Sequence, residues 1–325
     1  MSDVQVVQST KIQELLPEGL TSDQNPLKSA GIDYQILTWL VVAHLLAIAA
    51  IPFFTWTNFW VMIAMEFVAQ CLGITFCYHR MLSHRAFKVP KFFEWIFATC
   101  GVIALQGSPL EWVAHHRMHH AYSDREKDPH NSRLGFWHSH MGWLFTIVPA
   151  FDDPSMLNRF ARDLARDPYY RWLEKMWPQA LIQIVLGLIF LAIGGWGLVL
   201  WGIFFRLIVG YHTTWLVNSA AHFWGYRTYS DVKDNSRNNW VVALLTWGEG
   251  WHNNHHKYQN LAAAGHKWWE IDITMGIIRL LQFCGIAYDV RDQIPQNSSS
   301  AAALAESPAP LTSTALGTTS LTMSN

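Results

Sequence analysis

Two long apolar runs open the ordered part of the chain. Tyr34–Phe54 and Trp56–Tyr78 are each long enough for a helix that crosses a bilayer, which takes about 20 mostly apolar residues. The link around Thr55–Thr57 leaves room only for a tight hairpin. A second pair, Trp177–Ile193 and Trp196–Val217, is joined by the glycine-rich GGWG (194–197). Both turns lack Lys and Arg. The opposite ends carry Arg80, Arg85, Lys88 and Lys91, and later Arg159, Arg162, Arg166, Arg171 and Lys175. By the positive-inside rule those ends are cytoplasmic, and both termini with them. The pattern predicts an all-α, multi-pass integral membrane protein: four transmembrane helices in two hairpins under a cytoplasmic helical cap. A further apolar run, FFEWIFATCGVIALQG (92–107), is shorter and holds Glu94. A single crossing there would part His79 and His84 from His116, so it is expected to lie in the interface or re-enter. Residues 1–33 form a polar tail with no apolar core behind a basic start, unlike a signal peptide. Residues 34–292 read as one domain. From 293 to 325 the chain is Ser, Thr, Ala and Pro, with too little apolar surface to offset ordering entropy, and is expected to be disordered.

Composition narrows the function. The chain of 325 residues is 51% hydrophobic and 14% charged, where a soluble domain carries about 25% charged residues. Its net charge of -1 argues against a nucleic-acid partner. Four scattered cysteines form no CxxC site and suggest buried thiols.

The outlier is 16 histidines, and they cluster: HRMLSH (79–84), AHHRMHH (114–120) and EGWHNNHH (249–256). His116, His119 and His120 stand at i, i+3 and i+4, one helical face, and His252, His255 and His256 repeat that spacing. His79 and His84 are five apart, about 500° of α-helical rotation, so the helix is expected to end between them. His222 follows the fourth apolar run, with Asn218 four residues before it. All these groups fall at one membrane level. Neutral imidazole suits Zn, Cu, Fe and Ni. Nine histidines exceed the four ligands of a structural zinc and suit two ions. Zinc has no redox change, so oxygen chemistry favours iron.

HRMLSH, HRMHH (116–120), NSAAH (218–222) and EGWHNNHH resemble the membrane fatty-acid desaturases of the delta-9 type, acyl-CoA and acyl-lipid together. DPHNSRLGFWHSHMGWL (128–144) and TTWLVNSAAHFWGYR (213–227) are similar too, and the match covers roughly 35–290. The resemblance implies that two iron ions are held by His79, His84, His116, His119, His120, His222, His252, His255 and His256, with Asn218 reaching one iron through water. It implies that two hydrogens are removed from adjacent methylenes of a saturated acyl chain, giving a cis double bond at carbon 9. Oxygen, the co-substrate, is reduced to water with two electrons from a separate donor, ferredoxin or cytochrome b5. It places Gln106, Trp112, Thr214 and Trp215 around a bend in the acyl tunnel. It also implies a tunnel floor on the second apolar helix, where a rise of ~12 Å over eight helical residues leads to Cys71, with Phe67 one turn deeper.

Animal acyl-CoA members carry an Arg-Asp pair before HRxHH and an Asn after the tunnel Gln. Here Ala114, His115 and Gly107 stand at those positions, which favours a chain on a membrane glycerolipid over acyl-CoA. Two other functions share such clusters: a di-iron membrane hydroxylase or alkane oxygenase, and a non-enzymatic metal transporter or sensor. Glu249, Asp128 and Glu111 are candidates to orient ligating imidazoles. His130, His138 and His140 read as structural or supporting, and His266 as a surface residue. Glu66 and Arg206 lie at matched depth in two apolar helices and are expected to form an intramembrane ion pair beside the tunnel floor, with His44 nearby.

Overall fold

The computed structural model describes residues 29–295, so the two expected tails lie almost wholly outside the described residues. Helix α1 (Tyr34–Ala50) begins where the Asp33 carboxylate accepts from the backbone N–H groups of Gln35 and Ile36. Helix α2 (Trp56–Glu66) begins at Thr55, whose hydroxyl accepts from Asn58 N–H. The hairpin therefore turns at the expected Thr55. Beyond Glu66 the same helix runs on from Phe67 to Ser83 with a wider, π-type winding.

Helix α3 (Lys91–Ile103) has 13 residues, too few to cross a bilayer. It leaves Phe92, Trp95 and Ile96 exposed. Its other face presses on the wide part of α2. A Cβ at Gly73 would fall 2.4 Å from the Gly101 nitrogen, and one at Gly101 would strike the Tyr78 ring. Two facing glycines thus set the contact, as the run 92–107 required if it was not to cross. Helix α4 (Pro109–Tyr122) follows, started by Pro109 and by a reciprocal capping box between Ser108 and Glu111.

Among the described residues, three helices are long and apolar enough to cross a membrane: Tyr34–Phe53, Trp56–Ser83 and Met176–Phe223. The third contains α5 (Met176–Val199), a π-wound segment Leu200–Phe205, α6 (Arg206–Asn218) and α7 (Ala220–Phe223). It breaks at Gly195, with φ 66° and ψ −164°, a conformation glycine adopts freely. The arms then fold together: Gly187 faces Ile203, and a Cβ at Gly202 would meet the Phe190 ring at 2.6 Å. Among the shorter elements, two near the end of the described residues bear on the site, α8 (His252–Lys257) and the amphipathic α9 (Ile273–Phe283).

The expected Glu66–Arg206 ion pair does not form. Both residues are buried. Arg206 turns its guanidinium to backbone carbonyls, Nε to Gly202 O at 3.0 Å and Nη2 to Ile103 O at 3.0 Å. The carbonyl end of α3 attracts the cation, and neither Glu66 oxygen has a hydrogen-bond partner. Equal depth fixed the level of the two groups but not their direction. His44 bonds elsewhere, through Nε2 to His212 Nε2 at 3.0 Å.

Candidate metal centre

The π-type winding of α2 brings the first two histidines together. His84 N–H bonds to His79 O at 3.2 Å, an i→i+5 closure, so residues five apart become neighbours, as residues four apart are in an α-helix. Their ring centroids are 4.9 Å apart. The expected helix end between them is replaced by a change of winding. Helix α4 supplies His116, His119 and His120, α7 supplies His222, and α8 supplies His252, His255 and His256.

These nine fall into two groups. His79, His84, His116, His120 and His255 offer ring nitrogens within 4.8 Å of one another, and so do His119, His222, His252 and His256. The close contacts run between Nε2 atoms: His84–His116 at 2.7 Å, His255–His120 at 2.9 Å, His79–His255 at 3.1 Å, His222–His252 at 3.0 Å and His119–His256 at 3.3 Å.

Carboxylates hold several rings from behind. Asp128 lies 3.0 Å from His119 Nδ1, Asp234 2.7 Å from His256 Nδ1, and Asp124 3.2 Å from His222 Nδ1. Glu249 lies 2.7 Å from His79 Nδ1, although that nitrogen is not aligned for a hydrogen bond. Burial alone would raise these acids. Imidazole charge and hydrogen bonds outweigh it, holding Asp128 at about 2 and Asp124 and Asp234 far below the usual range. Glu249 is also lowered, by Arg80 and then His79, against its burial. Burial and then neighbouring imidazoles push His84, His116, His120, His252 and His255 well below 6.5. At neutral pH those rings are neutral, the ligating form.

The donor set fits metal cations. Where an Nδ1–H is given to a carboxylate, Nε2 carries the lone pair. His119 and His256 are both held this way, so two lone pairs face each other. A shared proton could satisfy one such pair, but a cation satisfies all four rings of the group.

A buried arginine ties the site together. Arg80 Nε donates to Glu249 at 3.0 Å, and Nη1 donates to Asp272 at 2.9 Å and to Ala262 O at 2.7 Å.

A pocket lies against both groups, lined by His79, His116, His119, His252 and Asn218 at one end. Trp112 and Thr214 are in its wall, with Trp112 stacked on His116 at 5.0 Å. Gln106 Nε2 donates to Thr214 Oγ1 at 3.0 Å and to Gln70 Oε1 at 3.1 Å. The remaining expected tunnel residues point elsewhere or lie beyond the lining. Trp215 stacks on Tyr211 at 5.3 Å and faces His140. The Cys71 thiol turns to Thr274 Oγ1 at 3.7 Å, and Phe67 packs edge-on to Trp247 at 5.6 Å.

Of the other candidates, Glu111 caps α4. His130 is buried against His119, with ring centroids 4.2 Å apart, and forms a further possible ligand group with His119 and Asp128. His138 is half-buried. His140 joins a chain with His44 and His212 through a 3.0 Å contact between His140 Nε2 and His212 Nδ1. His266 is less exposed than expected and bonds Tyr229 OH through Nδ1 at 3.1 Å. Asp124 and Asp234 were not foreseen. Asp124 closely follows HRMHH, a weak signal; Asp234 gives none.

A family profile described as fatty acid desaturase matches residues 54–278. The chain belongs to the fatty acid desaturase family. It is 48% identical over 238 residues to the sn-1 stearoyl-lipid 9-desaturase of Anabaena variabilis, covering 73% of this chain and 85% of that protein. Over 274 residues it is 45% identical to the enzyme of the same description from Synechocystis, with 84% of each chain covered. Against the icosanoyl-CoA 5-desaturase of Limnanthes douglasii it is 41% identical over 260 residues, 80% of this chain and 72% of that one. The desaturase is thus an oxidoreductase acting on fatty acyl chains, with histidine groups suited to metal and helices suited to a membrane.

Proposed function

We propose that this desaturase introduces a cis double bond at carbon 9 of a saturated acyl chain carried on a membrane glycerolipid. The carrying observation is the pair of histidine groups, backed by carboxylates and bordering a mostly apolar pocket. The resemblance and the names of the relatives support position 9. The preference for a lipid carrier rests on Ala114, His115 and Gly107, and on lipid desaturases being among the more similar relatives.

His79, His84, His116, His120 and His255 would hold one iron. His119, His222, His252 and His256 would hold the second, with Asn218 acting through water. When bound, the irons would supply the oxidising power that an unactivated methylene requires, O2 becoming two waters with two electrons and two protons from the chain's lost hydrogens, two electrons from the donor and two protons from solvent. The protein's own part is to position and exclude. Asp124, Asp128 and Asp234 fix ring orientation and tautomer, and Glu249 lies against His79. Trp112 and the Gln106–Thr214 hydrogen bond shape the wall beside the histidines. An acyl chain packed into the pocket would keep water from the reacting carbons, and regioselectivity follows from holding one C–C bond there. The Gly195 break supports four spans, with α5 and α6 as a hairpin. The histidines and both termini are then cytoplasmic, and a ferredoxin or cytochrome b5 delivers electrons at that face.

The test is lipid analysis of a desaturase-deficient host expressing the chain, with double-bond mapping and iron measured on the purified protein. A monoene at carbon 9 of glycerolipid chains, with two irons per chain, is the expected result. A hydroxylated product would favour a hydroxylase instead.

A further inference from the structure

The cavity's far end is built around one tryptophan in an unusual backbone state. From the histidine end the lining continues along α2 through Thr75 and Ile74 to Gln70, and along α6 through Val217 and Thr214 to Thr213. The remaining wall is Leu245, Thr246 and Trp247. The Trp247 indole meets the Phe67 ring edge-on at 5.6 Å. Phe67 lies twelve residues before His79, and Gln70, the lining residue of α2 most distant from the histidines, lies nine before it. The indole therefore reaches past Gln70 to Phe67 at this end of the lining.

Trp247 has φ 61°, a left-handed conformation that bulky residues rarely adopt. The surroundings enforce it. Thr274 donates to Trp247 O twice, from its backbone N–H at 3.0 Å and its hydroxyl at 2.9 Å. Gly248 follows at φ 124°, where a Cβ would fall 2.6 Å from Asp272 Oδ1. Strain of this kind persists where a particular side-chain placement is needed. The next residue is Glu249, which sits behind His79, so the end wall and the histidine group share one turn.

We propose that Trp247 is the residue that ends the acyl cavity and sets the length of chain accepted. The proposal rests on the acyl-desaturase reading. A hydrocarbon tail offers no polar handle, so volume at its methyl end is what can select it. Discrimination of about 10–200-fold per methylene is available to a well-packed apolar pocket.

The test uses two variants that suit left-handed backbone, Trp247→Gly and Trp247→Asn, and Trp247→Phe, which retains an aromatic ring. Each is expressed in the desaturase-deficient host with saturated chains of graded length, and monoene products are measured. Gly and Asn should raise the ratio of longer to shorter products about 10-fold, and Phe should shift it less. An unchanged ratio at normal abundance overturns the proposal. In the wild-type protein, an acyl lipid with a photoreactive group at its methyl end should label Trp247 or Phe67, and labelling confined to other residues also overturns it. A wild-type protein that makes no alkene would instead sink the desaturase reading itself.

Discussion

The two histidine groups share a cavity but not an electrostatic setting. The five-histidine group has one carboxylate behind it, Glu249, which Arg80 also engages. The four-histidine group has three, Asp124, Asp128 and Asp234, each on a different ring. Fewer imidazoles are thus matched by more negative charge and firmer orientation. On the proposed reading, the four-histidine group would hold a cation more tightly and compensate a higher charge on it. The five-histidine group depends on the number of its donors.

Four outcomes break or sharpen this contrast. The largest is ligand loss: His255→Ala in one group and His252→Ala in the other should each lower alkene production more than about 100-fold, beyond the range typical of supporting partners. Full activity in His255→Ala would remove it from the ligand set. Next, Asp128→Asn or Asp234→Asn should weaken metal retention or activity about 10–100-fold, read as iron per chain after chelator challenge. If Glu249→Gln lowers iron retention equally, the contrast between the groups fails. Glu249→Gln should also destabilise the fold by about 3 kcal/mol, because a buried cation loses one partner. Melting in detergent measures this, and a part of the loss should return in the double change with Arg80→Met. Smallest is His266→Ala, which removes one hydrogen bond to Tyr229 and should cost about 1 kcal/mol with alkene yield unchanged.

The histidine groups were legible because their spacing follows the helix period, as with His116, His119 and His120. The Thr55 hairpin and the GGWG turn were legible because turn chemistry is local. What the chain does across long separations was not. Asp124 meets His222 across 98 residues, a pairing no local pattern encodes. The winding that joins His79 to His84 depends on how α2 packs, so an α-helical wheel gave the wrong geometry. Arg206 and Glu66 show the same limit: helix rise predicts depth, while packing decides which carbonyls a guanidinium reaches.

Arg80 places a condition on biosynthesis. The residue lies in the last turn of the second long apolar helix, yet its partners Glu249 and Asp272 are translated 169 and 192 residues later. Until the ribosome has passed Asp272, the nascent chain carries that cation without its full set of buried partners. The first two histidines and the last three therefore become a single site only when synthesis is nearly finished. A transcript cut short of codon 272 yields a protein that can enter the bilayer but leaves a stranded charge for quality control to recognise.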